Sequence, residues 1–195
     1  MHARIGWFGV VAAIMFFCAR AEAAVTVLGT AQAVECFEKA DAGSSDPKAC
    51  DDALHDPDLL GRDRAATFVN RGIIYNTARK LDLALADFAS ALAIDPNIAE
   101  AYLNRGNSKF FQGKLNEAIA DFTRALELKL DRKSAAYYNR ALAYVALGRL
   151  KEAKSDLESA LDADPDFKEA KDELALVNKA LASNGTVPPQ SATPR

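Results

Sequence analysis

Three times along this chain the same tripeptide slot returns: Asn70-Arg71-Gly72, Asn104-Arg105-Gly106 and Asn139-Arg140-Ala141. The intervals are 34 and 35 residues, a spacing that constrains the chain to a stack of helical hairpins. One such unit cannot bury its apolar face alone and must stack on its neighbours. The resulting array offers a long surface for holding something more readily than an enclosed pocket for chemistry.

Aligning on the slot divides the middle of the chain into hairpins at 65–98, 99–132 and 134–167. The first carries Phe68, Gly72, Tyr75, Ala84, Phe88, Ala91 and Pro96. The second carries Tyr102, Gly106, Ala118, Phe122 and Ala125, with Leu130 in place of the proline. The third carries Tyr137, Ala141, Tyr144, Ala153, Leu157, Ala160 and Pro165. This succession resembles the tetratricopeptide repeat, in three copies over residues 65–167. The resemblance implies an all-α, right-handed superhelical stack of antiparallel hairpins.

The slots make physical sense. Small residues at Gly72, Gly106 and Ala141 let paired helices approach closely; Ala84, Ala118 and Ala153 do so from the second helix. Phe88, Phe122 and Leu157 fill the space between layers. Gly113 and Gly148 stand where first helices end, and Asp95-Pro96 and Asp164-Pro165 stop second helices. The joint at 129–133 lacks Asp-Pro and holds one extra residue. Arg71, Arg105 and Arg140 are each followed sixteen residues later by an aspartate, namely Asp87, Asp121 and Asp156. That register predicts an ion pair between helices, within one hairpin or between adjacent ones.

The two ends read differently. Arg4, an uninterrupted apolar stretch over 5–19 and then Ala21-Glu22-Ala23 form a secretory signal at 1–23, cut after Ala23. The stretch is short against the roughly 20 residues of a membrane span. An uncleaved anchor is the rival reading, and the one route by which this chain would touch a membrane. Export implies a periplasmic or secreted protein and leaves Cys36 and Cys50 as the cysteines of the mature chain. In an oxidising compartment, two thiols a short loop apart read as a disulfide. Residues 31–60 read as a degenerate hairpin of two short helices, 32–39 and 47–54, tied by that disulfide, with Asp46 as N-cap. Residues 168–182 read as a capping helix with Ala170, Leu174, Val177 and Leu181 on one side, and 183–195 as a disordered tail.

Catalytic patterns do not occur. No His/Cys cluster repeats, no glycine-rich phosphate loop follows a strand, and no nucleophile elbow is present. His55, beside Asp56-Pro57, reads as a solvated or capping group. The chain does not read as an enzyme, and no cofactor, metal or small-molecule substrate is expected. With a net charge of −3, nothing suggests a nucleic-acid binder with a basic face, and no nucleic-acid partner is expected.

The resemblance places Asn70, Asn104 and Asn139 on the concave groove of the stack. An amide both donates and accepts, so a row of them can grip an extended backbone without reading its side chains. An asparagine ladder of this kind occurs in the family. The alternative is that these amides satisfy backbone groups inside the stack. The same register adds Val69, Ile73, Leu103, Asn107, Tyr138 and Leu142 to the groove. One branch of the family holds partner C-termini in a carboxylate clamp of Lys and Arg. Only Asn104 fits that clamp here; Val69, Ile73, Ala135 and Asn139 stand where Lys, Asn, Lys and Arg are wanted. The expected partner is therefore a protein or peptide, with an extended and rather neutral segment held in the groove of a non-catalytic scaffold. The competing expectation is a structural or assembly subunit of an envelope complex, or self-association, through the convex face.

Overall fold

The computed structural model describes residues 24–27, 29–128 and 130–183; the signal expected at 1–23 and the tail from 184 onward lie outside them. The described residues form helices and no strands. They are α1 (Ala31–Asp41), α2 (Lys48–His55), α3 (Gly61–Thr77), α4 (Leu81–Ile94), α5 (Ala99–Phe111), α6 (Leu115–Glu127), α7 (Lys133–Ala146), α8 (Leu150–Ala163) and α9 (Lys168–Ala182). None of these is long and apolar enough to cross a membrane. Successive helices pair, α1 with α2, α3 with α4, α5 with α6 and α7 with α8, and α9 closes against α8. Second helices pack on the next first helix, and α3, α5 and α7 lie side by side. The result is a stack of hairpins ended by a capping helix.

Each hairpin closes on a small residue facing a large one. A Cβ on Gly72 would stand 2.5 Å from the Phe88 ring, and one on Gly106 would stand 2.6 Å from Phe122. The third hairpin keeps the fit by exchange: Ala141 gains a methyl group and Leu157 replaces the ring, with both fully buried. Total volume is conserved, which is the kind of change a packed core tolerates.

The turns within the hairpins share one geometry. Gly113 and Gly148 are left-handed, at φ +74° and +71°. The amides after them close the helix end, Lys114 N–H to Lys109 O at 2.9 Å and Arg149 N–H to Tyr144 O at 2.8 Å. In the first hairpin the same slot holds Arg79, left-handed at φ 59°, and Lys80 N–H still reaches Tyr75 O at 2.8 Å. The arginine accepts a backbone strain that glycine avoids, while its guanidinium lies 4.5 Å from the centre of the Phe111 ring. Between hairpins, Asp95 Oδ1 accepts from Asn97 N–H and Asp164 Oδ1 from Asp166 N–H, folding the chain back after the helix stops.

The repeated arginines pair inside their own hairpins. Arg71 donates from Nε and a terminal nitrogen to both oxygens of Asp87, at 2.8 Å each. Arg105 grips Asp121 at 2.8 and 2.6 Å, and Arg140 grips Asp156 at 2.7 and 2.8 Å. The hydrogen bonds they donate to Asp121 and Asp156 hold the Arg105 and Arg140 guanidinium groups above the ordinary arginine value, against the opposing effect of burial. Two forks also reach back to the preceding hairpin: Arg71 to Asp51 Oδ1 and Arg140 to Thr123 Oγ1, both at 2.8 Å. The planar fork makes this possible, since it can satisfy a carboxylate and still present another N–H.

The front hairpin is held by other means. Cys36 and Cys50 are both fully buried, and their sulfurs are paired across a Cα–Cα distance of 4.7 Å. Asp46 Oδ1 accepts from Lys48 N–H at 3.1 Å, but the N-cap position of α2 falls to Pro47, one residue after the aspartate expected there, because the helix begins only at Lys48. Arg64 gathers the carbonyls at the end of α2, bonding Leu54 O, Asp56 O and Leu59 O at 3.0, 2.9 and 2.7 Å. One side chain thereby satisfies the Leu54 carbonyl in the last turn of α2 and two carbonyls of the loop that follows.

Candidate functional site

Asn70, Asn104 and Asn139 occupy equivalent turns of α3, α5 and α7, the helices that lie side by side. The amides are fully buried or nearly so, and Asn107 with them. Their bonding is not uniform. Asn70 meets the chain's own N-terminal segment: Val25 N–H donates to its Oδ1 and its Nδ2 donates to Val25 O, both at 2.8 Å. In an extended residue the N–H and C=O point to the same side, so one carboxamide can satisfy both as a neighbouring strand would. Asn139 instead donates to Asn107 Oδ1 at 2.9 Å, linking α7 to α5 within the stack. Asn70 thus satisfies backbone groups of its own chain, the alternative that the sequence left open, while Asn139 bonds another side chain.

The apolar residues assigned to the groove are buried among the hairpin clusters. Val69 and Ile73 pack in one cluster with Cys36, Ala65 and Phe88, which also receives Ala24 and Val25. Leu103 packs with Phe122 and Ala136, and Leu142 with Leu157. Tyr138 lies against Phe167, with ring centres 4.9 Å apart. The physical reason is register: these positions flank the line along which neighbouring first helices meet, so hairpin packing encloses them.

Another set of residues links α3 to α5 without having announced itself as a repeat. Ser108 Oγ donates to Asn76 Oδ1 at 2.7 Å and lies 3.1 Å from Asn104 O, while Asn76 Nδ2 reaches Asn104 O at 3.4 Å. All three residues are buried. The available signal was residue type, because Asn and Ser are poor choices for a helix interior unless their side chains have work there.

Elsewhere, an open hollow of about 350 Å³ lies at the joint of the second and third hairpins, lined by Leu130, Asp131, Lys133, Ser134 and Ala163. None of the amide row contributes to it. Among the described residues, no group of three His, Cys, Asp or Glu side chains is placed to hold a metal ion.

A family model described as tetratricopeptide repeat matches residues 97–166. The first such repeat domain of Spaghetti (RPAP3), solved bound to the HSP90 peptide SRMEEVD, is 30% identical; the match covers 64% of this chain and 98% of that one, with a TM-score of 0.60. The first domain of human RPAP3 is 32% identical, covering 63% of this chain and 96% of its own, also at 0.60. The chain belongs to the tetratricopeptide repeat family. A further tetratricopeptide-like likeness is to MamA, 22% identical with a TM-score of 0.66 over 81% of this chain and 90% of that one, which concerns the fold alone. No curated protein sequence matches the chain. As a tetratricopeptide protein it shares the hairpin fold of these relatives.

Proposed function

We propose that this chain is a non-catalytic scaffold that holds an extended peptide segment of a partner protein along the row of Asn70, Asn104 and Asn139. The observation that carries this reading is the pair of bonds between Asn70 and Val25, in which one buried amide clasps both polar groups of an extended residue. Related domains that hold peptides support it, including the second domain of human RPAP3, solved with the HSP70 peptide SGPTIEEVD. The apolar and amide residues at the clamp positions favour a neutral internal segment over an acidic C-terminus. The test is affinity capture from cell-envelope extract with the unaltered chain and with Asn70→Ala/Asn104→Ala/Asn139→Ala, matched for helical content. A partner should stay with the first and be lost from the second. Equal retention by both would make the amide row architectural.

The setting proposed for this activity is outside the reducing cytoplasm, in a periplasm or secretory space. The Cys36–Cys50 pairing supports it, because such a bond persists where glutathione does not reduce it. N-terminal sequencing of the exported protein should begin at Ala24. A product that begins at the initiator end would instead make the first segment an anchor.

A further inference from the structure

We propose that residues 24–27 are a built-in occupant of the groove's first rung. The partner segment that competes with this strap would be extended, uncharged and β-branched at alternate positions. The inference rests on the peptide-holding reading above and gives that reading a ligand chemistry.

The strap shows what the rung accepts. Its backbone is clasped at Val25 by both atoms of the Asn70 carboxamide. Its side chains alternate as an extended segment must. Val25 is half-buried against the cluster that holds Val69 and Ile73 and against that of Val27, Thr26 is exposed, and Val27 is buried to 4% exposure among Ala33, Ala53, Leu59 and Ala66. β-Branched residues suit such a conformation because their rotamers are already restricted there. A charge at the Val27 position would enter the apolar cluster of Ala33, Ala53, Leu59 and Ala66 and lose its hydration there.

The tether sets the terms of competition. Thr30 Oγ1 accepts from Ala33 N–H and caps α1, so the strap is anchored only three residues after Val27. A short tether gives an effective concentration on the order of millimolar. An outside peptide therefore sees a rung that is open only for the fraction of time the strap is out, and its affinity is reduced by that fraction. A partner matching the strap's own pattern displaces it; a peptide depending on a terminal carboxylate finds Val69 and Ile73 where cations would be needed.

The probe is acetyl-Ala-Val-Thr-Val-amide carrying a fluorophore, titrated into the millimolar range against the unaltered chain and against Val25→Pro/Val27→Asp. Proline removes the N–H that Asn70 accepts, and a carboxylate cannot stay in place of buried Val27. The altered strap leaves while Asn70 remains. The probe should bind the variant roughly tenfold or more tightly than the unaltered chain, and adding Asn70→Ala should erase the gain. Equal affinity for both chains, or a gain that survives Asn70→Ala, overturns the proposal. If the double variant loses helicity, the unaltered chain serves instead. Saturating probe should then speed hydrogen exchange at the Val25 amide several-fold, and a probe with proline in its second position should not; unchanged exchange overturns the proposal. Partner capture that depends on the amide row without any probe binding would sink the strap alone. Probe binding with amide-independent capture would sink the partner reading alone.

Discussion

Where α3 meets α4, a bare Cα at Gly72 and the Phe88 ring close the hairpin; where α1 meets α2, a pair of sulfurs does so. The helices differ in length to match. α3 and α4 run for 17 and 14 residues, α1 and α2 for only 11 and 8. Apart from the cysteines, the buried residues of α1 and α2 are all alanines, Ala33, Ala40, Ala49 and Ala53. Alanine methyls cannot interlock as a ring and a glycine do. The front hairpin therefore depends on a cross-link and on polar groups contributed by α3, with Arg71 reaching Asp51 and Arg64 reaching the last carbonyls of α2. A short hairpin can replace missing core by covalent and ionic ties, but only locally.

The sharpest way to break this comparison is Cys36→Ala/Cys50→Ala. Reopening a loop of 14 residues' separation should cost about 3 kcal/mol in the chain-entropy account. Hydrogen exchange should rise across α1 and α2 and stay slow in α7 and α8; a uniform rise would mean the front is not a separate case. Next in size is Gly106→Ala, whose methyl group would collide with Phe122 and should cost about 2 kcal/mol. Adding Phe122→Leu recreates the Ala141–Leu157 pairing of the third hairpin and should return most of the loss in urea unfolding. No recovery in the double variant would refute the exchange of volume between those slots. The smallest effect concerns the turn where the first hairpin departs from the others. Arg79→Gly relieves left-handed strain but removes the cation above Phe111, for a net gain of about 0.5 kcal/mol. A shift of the urea midpoint in the opposite direction would show that the ring contact outweighs the strain.

The regular hairpins were legible because their physics repeats. A small residue facing a large one, a turn after the first helix and an arginine sixteen residues before an aspartate each occur three times, so period stood in for geometry. Whether the ion pairs lay within or between hairpins needed the structure: all three lie within, Arg71 adds one to the preceding hairpin, and Arg140 adds only a hydrogen bond to Thr123. What escaped the sequence reading occurs once. Arg79 stands where the later hairpins have glycine, and only its φ reveals the shared turn. Arg64 bonds carbonyls, which have no letter in a sequence. Residues 24–27 fall between an expected signal and the first helix, and the Val25-Thr26-Val27 alternation is too short to weigh without Asn70 beside it. The amide row was found by position, but burial and bonding divide it: Asn70 clasps backbone, and Asn139 clasps another side chain.

Each arginine fork latches its own hairpin, and two of the three also hook the hairpin before it, so the stack is a series of linked latches. In such a series, stability divides into what each link holds alone and what it gains from its neighbours. α9 packs on α8 and its sequence contains no cysteine, whereas the opposite end carries the sulfur pair. The array accordingly has a direction of dismantling. Tension applied at the carboxyl end should therefore free α9 early and reach the sulfur-tied hairpin last.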